Sequence, residues 1–189
     1  EYGGQVFLEY QWDILLLEAL VLAAVLSRQP RVGIWLTRLL IFRFMLLSGA
    51  VKLTSGDLTW RTLSALDVHF ETQPLPTVLA WYAHQLPRDL LHAGVVATFV
   101  IELGLPFCIF APRNVRRFAA AGFLLLQALI AITGNYNFFN LLVIVLCVAL
   151  LDDRVFRSTA RSIALSTARV HSGAPWRVVM AAIAFLGVL

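Results

Sequence analysis

The 189-residue chain is 60% hydrophobic and only 14% charged, with a mean hydropathy of +0.81, whereas a soluble domain carries about 25% charged residues. That balance excludes an ordinary soluble domain and defines an integral membrane protein. The net charge of +4 is not a nucleic-acid signal, because the arginines are sorted by loop. Arg28 and Arg31 fall in the first connection, Arg113, Arg116 and Arg117 in the third, and Arg154, Arg157, Arg161, Arg169 and Arg177 in the fifth, against Arg61 and Arg88 alone on the other side. By the positive-inside rule the odd connections are cytoplasmic, and residues 55–90 together with the turn at Gly134 face the periplasm or an organelle lumen.

A span needs roughly 20 predominantly apolar residues. Runs near 11–27, 33–54, 91–111, 115–133 and 135–151 meet this, and another starts at Pro175 and is still apolar at Leu189. The expected fold is all-α: a polytopic membrane bundle of five to six transmembrane helices with a re-entrant or interfacial outer loop, forming one transmembrane domain over 1–189. The chain opens at Glu1 without a basic segment ahead of the first apolar run, so no cleavable signal peptide is read. Both ends are expected to be cuts in a longer chain.

In the first span, Glu9 and Asp13 share a helix face, and the deeper Glu18 must turn inward to a partner. The second span holds Arg38, which can snorkel to the cytoplasmic end, Arg43 near the midplane, and Lys52 near the outer end. Ser48-Gly49-Ala50 supplies a small surface for close helix approach. The helix is expected to stop at Gly56.

The connection that follows is too apolar to be a disordered linker. Trp60, Leu63 and Leu66, then Leu79, Tyr82 and Leu86, recur at helical spacing, so each half is expected to form a short amphipathic helix with Trp60, Phe70, Trp81 and Tyr82 at headgroup level. Between them, Gln73-Pro74-Leu75-Pro76 cannot be helical. An extended lid presenting His69, Glu71 and Gln73 at alternating positions is expected. His69-x-Glu71 with His84 suits a metal or acid-base site, but without a second tight ligand pair the preferred reading is a hydrogen-bonded cap. No catalytic residue, metal or cofactor is assigned.

The third span carries Glu102 with Pro106 one turn later, so a kink is expected at the acidic residue. Pairing of Arg43 with Glu102 is the expected neutralisation, with Glu18 as the alternative partner of Arg43. Cys108 and Cys147 form no C-x-x-C pair and are read as packing residues. Between the fourth and fifth spans, Thr133-Gly134-Asn135 is a tight turn with Gly134 free to take positive φ. Its amides Asn135, Asn137 and Asn140 are expected to hydrogen-bond the His69–Gln73 stretch. Lys52, Arg43, Glu102 and Asn140 are expected to line a polar cavity open outward beneath that lid, with His69 and Glu71 above it and Trp81 on the outer face. Arg154, Arg157 and Arg161 form a basic face suited to an anionic leaflet.

The chain resembles the lipase maturation factor family of multi-pass membrane proteins. The resemblance rests on Leu40–Gly49, Val51-Lys52-Leu53, Asp57 with Thr59-Trp60, Leu66-Asp67 through Pro76 with Trp81-Tyr82, Ile101-Glu102, and Thr133 through Tyr136 with Phe138–Leu141, covering about residues 5–152. It implies a chaperone-like maturation or assembly role for exported lipases or other secreted proteins, and not an enzyme of known chemistry. Location follows: the endoplasmic reticulum membrane in a eukaryote, the inner membrane in a bacterium. It also implies a large outer soluble domain that this chain lacks. The partners implied are the lipid bilayer and a secreted client such as a lipase, with no nucleic acid. The alternatives are an intramembrane enzyme or small-molecule or lipid binder using the outward cavity, and a purely structural bundle subunit.

Overall fold

The computed structural model describes residues 11–151 apart from 74, 135 and 137. The apolar run expected at 175–189 and the basic face at 154–161 lie outside the described residues. Helices account for the architecture: α1 (Gln11–Arg28), α2 (Pro30–Thr54), three short helices α3 (Leu58–Arg61), α4 (Ala65–Thr72) and α5 (Val78–His84), then α6 (Arg88–Phe99), α7 (Arg113–Thr133) and α8 (Phe138–Cys147). Pro30–Thr54, Arg88–Phe110 and Arg113–Thr133 are long and apolar enough to cross a membrane, whereas Phe138–Leu150 is a shorter apolar helix. Exposed Leu39, Leu47, Phe118, Leu125 and Ile132 on α2 and α7 give these helices the apolar outer faces that a bilayer solvates.

The core is built where α1, α2, α7, α8 and the third span converge, on Leu15, Ile41, Met45, Ile109, Phe123, Val143 and Leu150. Phe139 of α8 meets Phe44 of α2 and Trp12 of α1 edge-on. Asn140 is buried and donates from Nδ2 to the carbonyl of Gln127 at 3.1 Å, joining α8 to α7. Cys147 is fully buried and both thiols are free, consistent with a packing role. Small residues set the helix spacing: a Cβ on Gly49 would lie 2.7 Å from Leu103 and 3.0 Å from the Cβ of Glu102.

The third span changes geometry at its acidic residue. Regular α-helix ends at Phe99, a π-helical turn covers Val100–Gly104, and a 3₁₀ stretch covers Leu105–Phe110 with Pro106 at its start. Pro106 has no N–H to donate back to Glu102, so the backbone near that residue is free to depart from i→i−4 bonding.

Two ends of the bundle can be told apart. At one, Arg38 Nε donates to Ala149 O and Arg116 Nε to Leu150 O, both at 3.1 Å, satisfying the carbonyls where the last described helix finishes. At the other, the 55–87 connection meets the α7–α8 turn. This connection forms three helices where two were expected, and the helix before it ends in a left-handed glycine, Gly56 at φ +80. The expected extended run from His69 to Gln73 is helical in α4 up to Thr72. Only Gln73 leaves the helix, at φ −65 and ψ 147, because a proline constrains the residue directly before it and not the turn upstream.

Candidate functional site

The 55–87 connection, here called the lid, is fastened to the end of α7 by polar contacts. A helix leaves its last carbonyls without intrahelical donors, and the lid supplies donors to the end of α7. Gln73 Nε2 donates to Thr133 O at 2.9 Å, the Thr77 amide donates to the same oxygen at 3.2 Å, and Thr77 Oγ1 donates to Ile132 O at 2.6 Å. Pro76 and Gly134 form an isolated antiparallel bridge. The hydroxyl oxygen of Thr77 also accepts from the Ala80 amide, so one side chain closes the C-terminus of α7 and the N-terminus of α5 together.

Gly134 is needed here for a reason other than the one expected. Its φ of −138 and ψ of 166 are extended, not left-handed. What matters is proximity: a Cβ at this position would sit 2.4 Å from Gln73 Oε1 and 2.7 Å from the ring of Tyr136, so both side chains would have to shift to admit it. The lid and the turn therefore do meet, but the contacts just described are made to the turn's backbone. Asn140 points instead to α7, and Asn135 and Asn137 lie outside the described residues.

Two histidine-carboxylate contacts tie α4 to its neighbours, one within the lid and one to α6. His84 of α5 contacts Glu71 of α4 at 2.7 Å, and His92 of α6 contacts Asp67 of α4 at 3.3 Å. Leu66 packs so close to Gly94 that a Cβ there would lie 2.8 Å from its methyl. Of the three residues weighed as a metal or acid-base site, Glu71 and His84 meet, as the preferred cap reading allows, while His69 packs edge-on against Phe70 and feels the charge of Lys52. Burial, helped by the Lys52 ammonium, holds the His69 imidazole below its ordinary pKa of 6.5.

Below the lid lies a buried ion pair. Lys52 Nζ donates to both oxygens of Glu102, at 2.8 and 2.7 Å, and to Ser48 O at 3.2 Å. The Trp60 ring covers the ammonium at 5.3 Å and is itself braced by Phe99. Glu102 is thus neutralised by Lys52 and not, as expected, by Arg43. Arg43 pairs with Glu18 of α1, the alternative partner. The outward cavity expected around Arg43, Lys52, Glu102 and Asn140 is not assembled from these residues: Lys52 and Glu102 direct their polar atoms at each other, and Arg43 lies on a separate groove between α1 and α2. Trp81 is exposed on α5 against Tyr82.

Reading the sequence missed Thr77 and the Asp67–His92 contact. A threonine after Pro-Leu-Pro and before the apolar repeat of 78–86 is an N-cap signal that identifies Thr77; nothing in the spacing of Asp67 and His92 marks them as partners.

These features define a helical membrane-bundle protein whose connection between the second and third spans is folded into a lid locked on a Thr-Gly turn. The chain belongs to the lipase maturation factor family, whose transmembrane-domain model matches residues 2–158. It is 53% identical over 165 residues to lipase maturation factor 2 of Xenopus laevis, covering 80% of this chain and 23% of that protein. With human lipase maturation factor 2 the identity is 49% over 174 residues, covering 80% and 24%. Human lipase maturation factor 1 is more distant, at 35% over 162 residues, covering 79% and 28%. The chain spans about a quarter of the length of these relatives. No solved structure matches.

Proposed function

We propose that this chain is the membrane module of a lipase maturation factor, and that the lid is the element it presents toward a secreted client. The observation that carries the reading is the fastening of the lid to the Thr133-Gly134 turn, in a chain whose relatives are named for lipase maturation. A factor that assists an exported protein needs a surface of fixed shape on the non-cytoplasmic side. Connections that hold a defined shape at a membrane surface are where such recognition is built. In this reading Lys52, Glu102 and Trp60 set the floor of the lid, Gln73 and Thr77 hold it, and Trp81, with Val78, Leu79 and Tyr82, stands on its exposed face. The membrane is that of the endoplasmic reticulum for a eukaryotic chain and the inner membrane for a bacterial one. The small-molecule reading has less support, because Lys52 and Glu102 direct their polar atoms at each other and Arg43 lies on a separate groove.

The test is functional. In cells deprived of the endogenous family member, full-length protein containing this module is co-expressed with a secreted lipase, and activity per unit of secreted antigen is measured. Restoration by the wild type and loss on Gly134→Leu, with membrane levels unchanged, is the expected result. No restoration by the wild type overturns the lipase reading, and full activity of Gly134→Leu overturns the role of the lid.

A further inference from the structure

The Glu18–Arg43 pair is the anomaly of this bundle. Both residues are mid-helix, and Arg43 lies 13 residues from Pro30 and 11 from Thr54, so either end of α2 is about 16–20 Å away along the axis. Yet the Arg43 and Glu18 side chains are 51% and 33% exposed, against 7% for Glu102 in the pair beneath the lid. They open into a groove of about 400 Å³ between α1 and α2, otherwise walled by leucines and a valine, including Leu17, Val21, Leu36 and Leu39. A charge facing hydrocarbon at that depth is costly, and charges inside spans turn to protein partners. The contact between them satisfies only part of an arginine's five donors and a carboxylate's four acceptor sites.

We propose that this α1–α2 face is the interface through which two copies of the chain pair in the membrane. The argument for a second copy is charge complementarity. A two-fold interface brings residue i of one copy to residue j of the other and j to i, so a patch carrying one arginine and one carboxylate complements itself. Because Glu18 and Arg43 bond each other they lie at one depth, and a two-fold axis along the membrane normal preserves depth. Arg43 therefore meets the second copy's carboxylate at its own level and Glu18 the second copy's guanidinium. The result is a neutral four-charge cluster, sealed from lipid by the leucines around the groove. A single spanning helix of another protein would need an acidic and a basic group at that same depth to do as well.

The test uses the full chain in native membranes, with two copies carrying different tags. A photo-crosslinking residue placed at Leu39 is expected to link the two tagged copies, while one placed at Leu125, exposed on α7, is not. The charges are then exchanged in trans. Glu18→Arg gives a copy with two basic groups in the groove, and Arg43→Glu gives one with two acidic groups. Crosslinking between these two variants is expected to exceed that of either with itself by ~10-fold, equivalent to about 1.4 kcal/mol. Absence of a cross-tag product at Leu39 in the wild type overturns the proposal, as does crosslinking at Leu39 to another protein or to another part of the same chain. Should the variants fail to fold, the wild-type comparison of Leu39 with Leu125 decides alone.

Discussion

Lys52, and not Arg43, reaches Glu102 because the depth of a residue in a span depends on where the span enters the membrane. Counting from the apolar run at 91 puts Glu102 level with Arg43. In the molecule the first turns of α6 pack on lid helix α4 through Leu66–Gly94 and Asp67–His92, and Glu102 comes level with Gly49, within reach of Lys52. The charges themselves were legible, as was the need to pair them; their partners were not, since periodicity fixes the face of a helix but not its height. Lys52→Met leaves Glu102 buried and uncompensated, at a cost of about 3 kcal/mol, and Lys52→Met with Glu102→Leu recovers much of it. Arg43→Leu and Glu102→Leu, by contrast, add without coupling, because they touch different partners. Denaturant titration of the purified protein in detergent measures both cycles, and strong coupling between Arg43 and Glu102 would contradict the pairing described here.

The lid shows what sequence reading can and cannot resolve for an element. Apolar repeats at 60–66 and 79–86 announced short helices, and the two prolines announced a break, but the helix through His69 and Glu71 was read as extended because the influence of Pro74 was carried too far upstream. The fastening itself is backbone geometry: Gly134 contributes the absence of a side chain, which no composition rule distinguishes from a glycine chosen for its φ. Gly134→Ala is expected to loosen the lid by roughly 1–3 kcal/mol, in the range of strained or unsatisfied buried sites. It should appear as faster hydrogen exchange over residues 73–80, and Gln73→Ala alone should act in the same direction, because it removes the bond from Gln73 Nε2 to Thr133 O. Thr77→Val removes both the bond to Ile132 O and the cap on Ala80, at a cost of about 1–2 kcal/mol, while Thr77→Ser keeps them. Equal exchange in the valine and serine variants would mean that the hydroxyl does not hold the lid.

At the scale of the whole molecule, the apolar runs and the arginine distribution outline the bundle, and the two caps at its ends give them physical meaning. Arg38 and Arg116 hold the carbonyls at the finish of the last described helix, so these arginines serve the fold as well as the positive-inside asymmetry; sequence alone assigns them only the second role. The lid closes the end of α7 at the opposite face with neutral groups, Gln73 and Thr77. An end held by guanidinium groups is suited to the anionic cytoplasmic leaflet, and an end held by amide and hydroxyl groups carries no such preference. The lid is therefore expected on the periplasmic or lumenal side, with the α6–α7 connection in the cytoplasm. With native thiols blocked or replaced, Thr77→Cys should react with a membrane-impermeant maleimide added to that side of intact membranes, and Val115→Cys should react only after permeabilisation. Reaction at position 115 and protection at 77 would invert the bundle, and with it the claim that the lid faces an exported client.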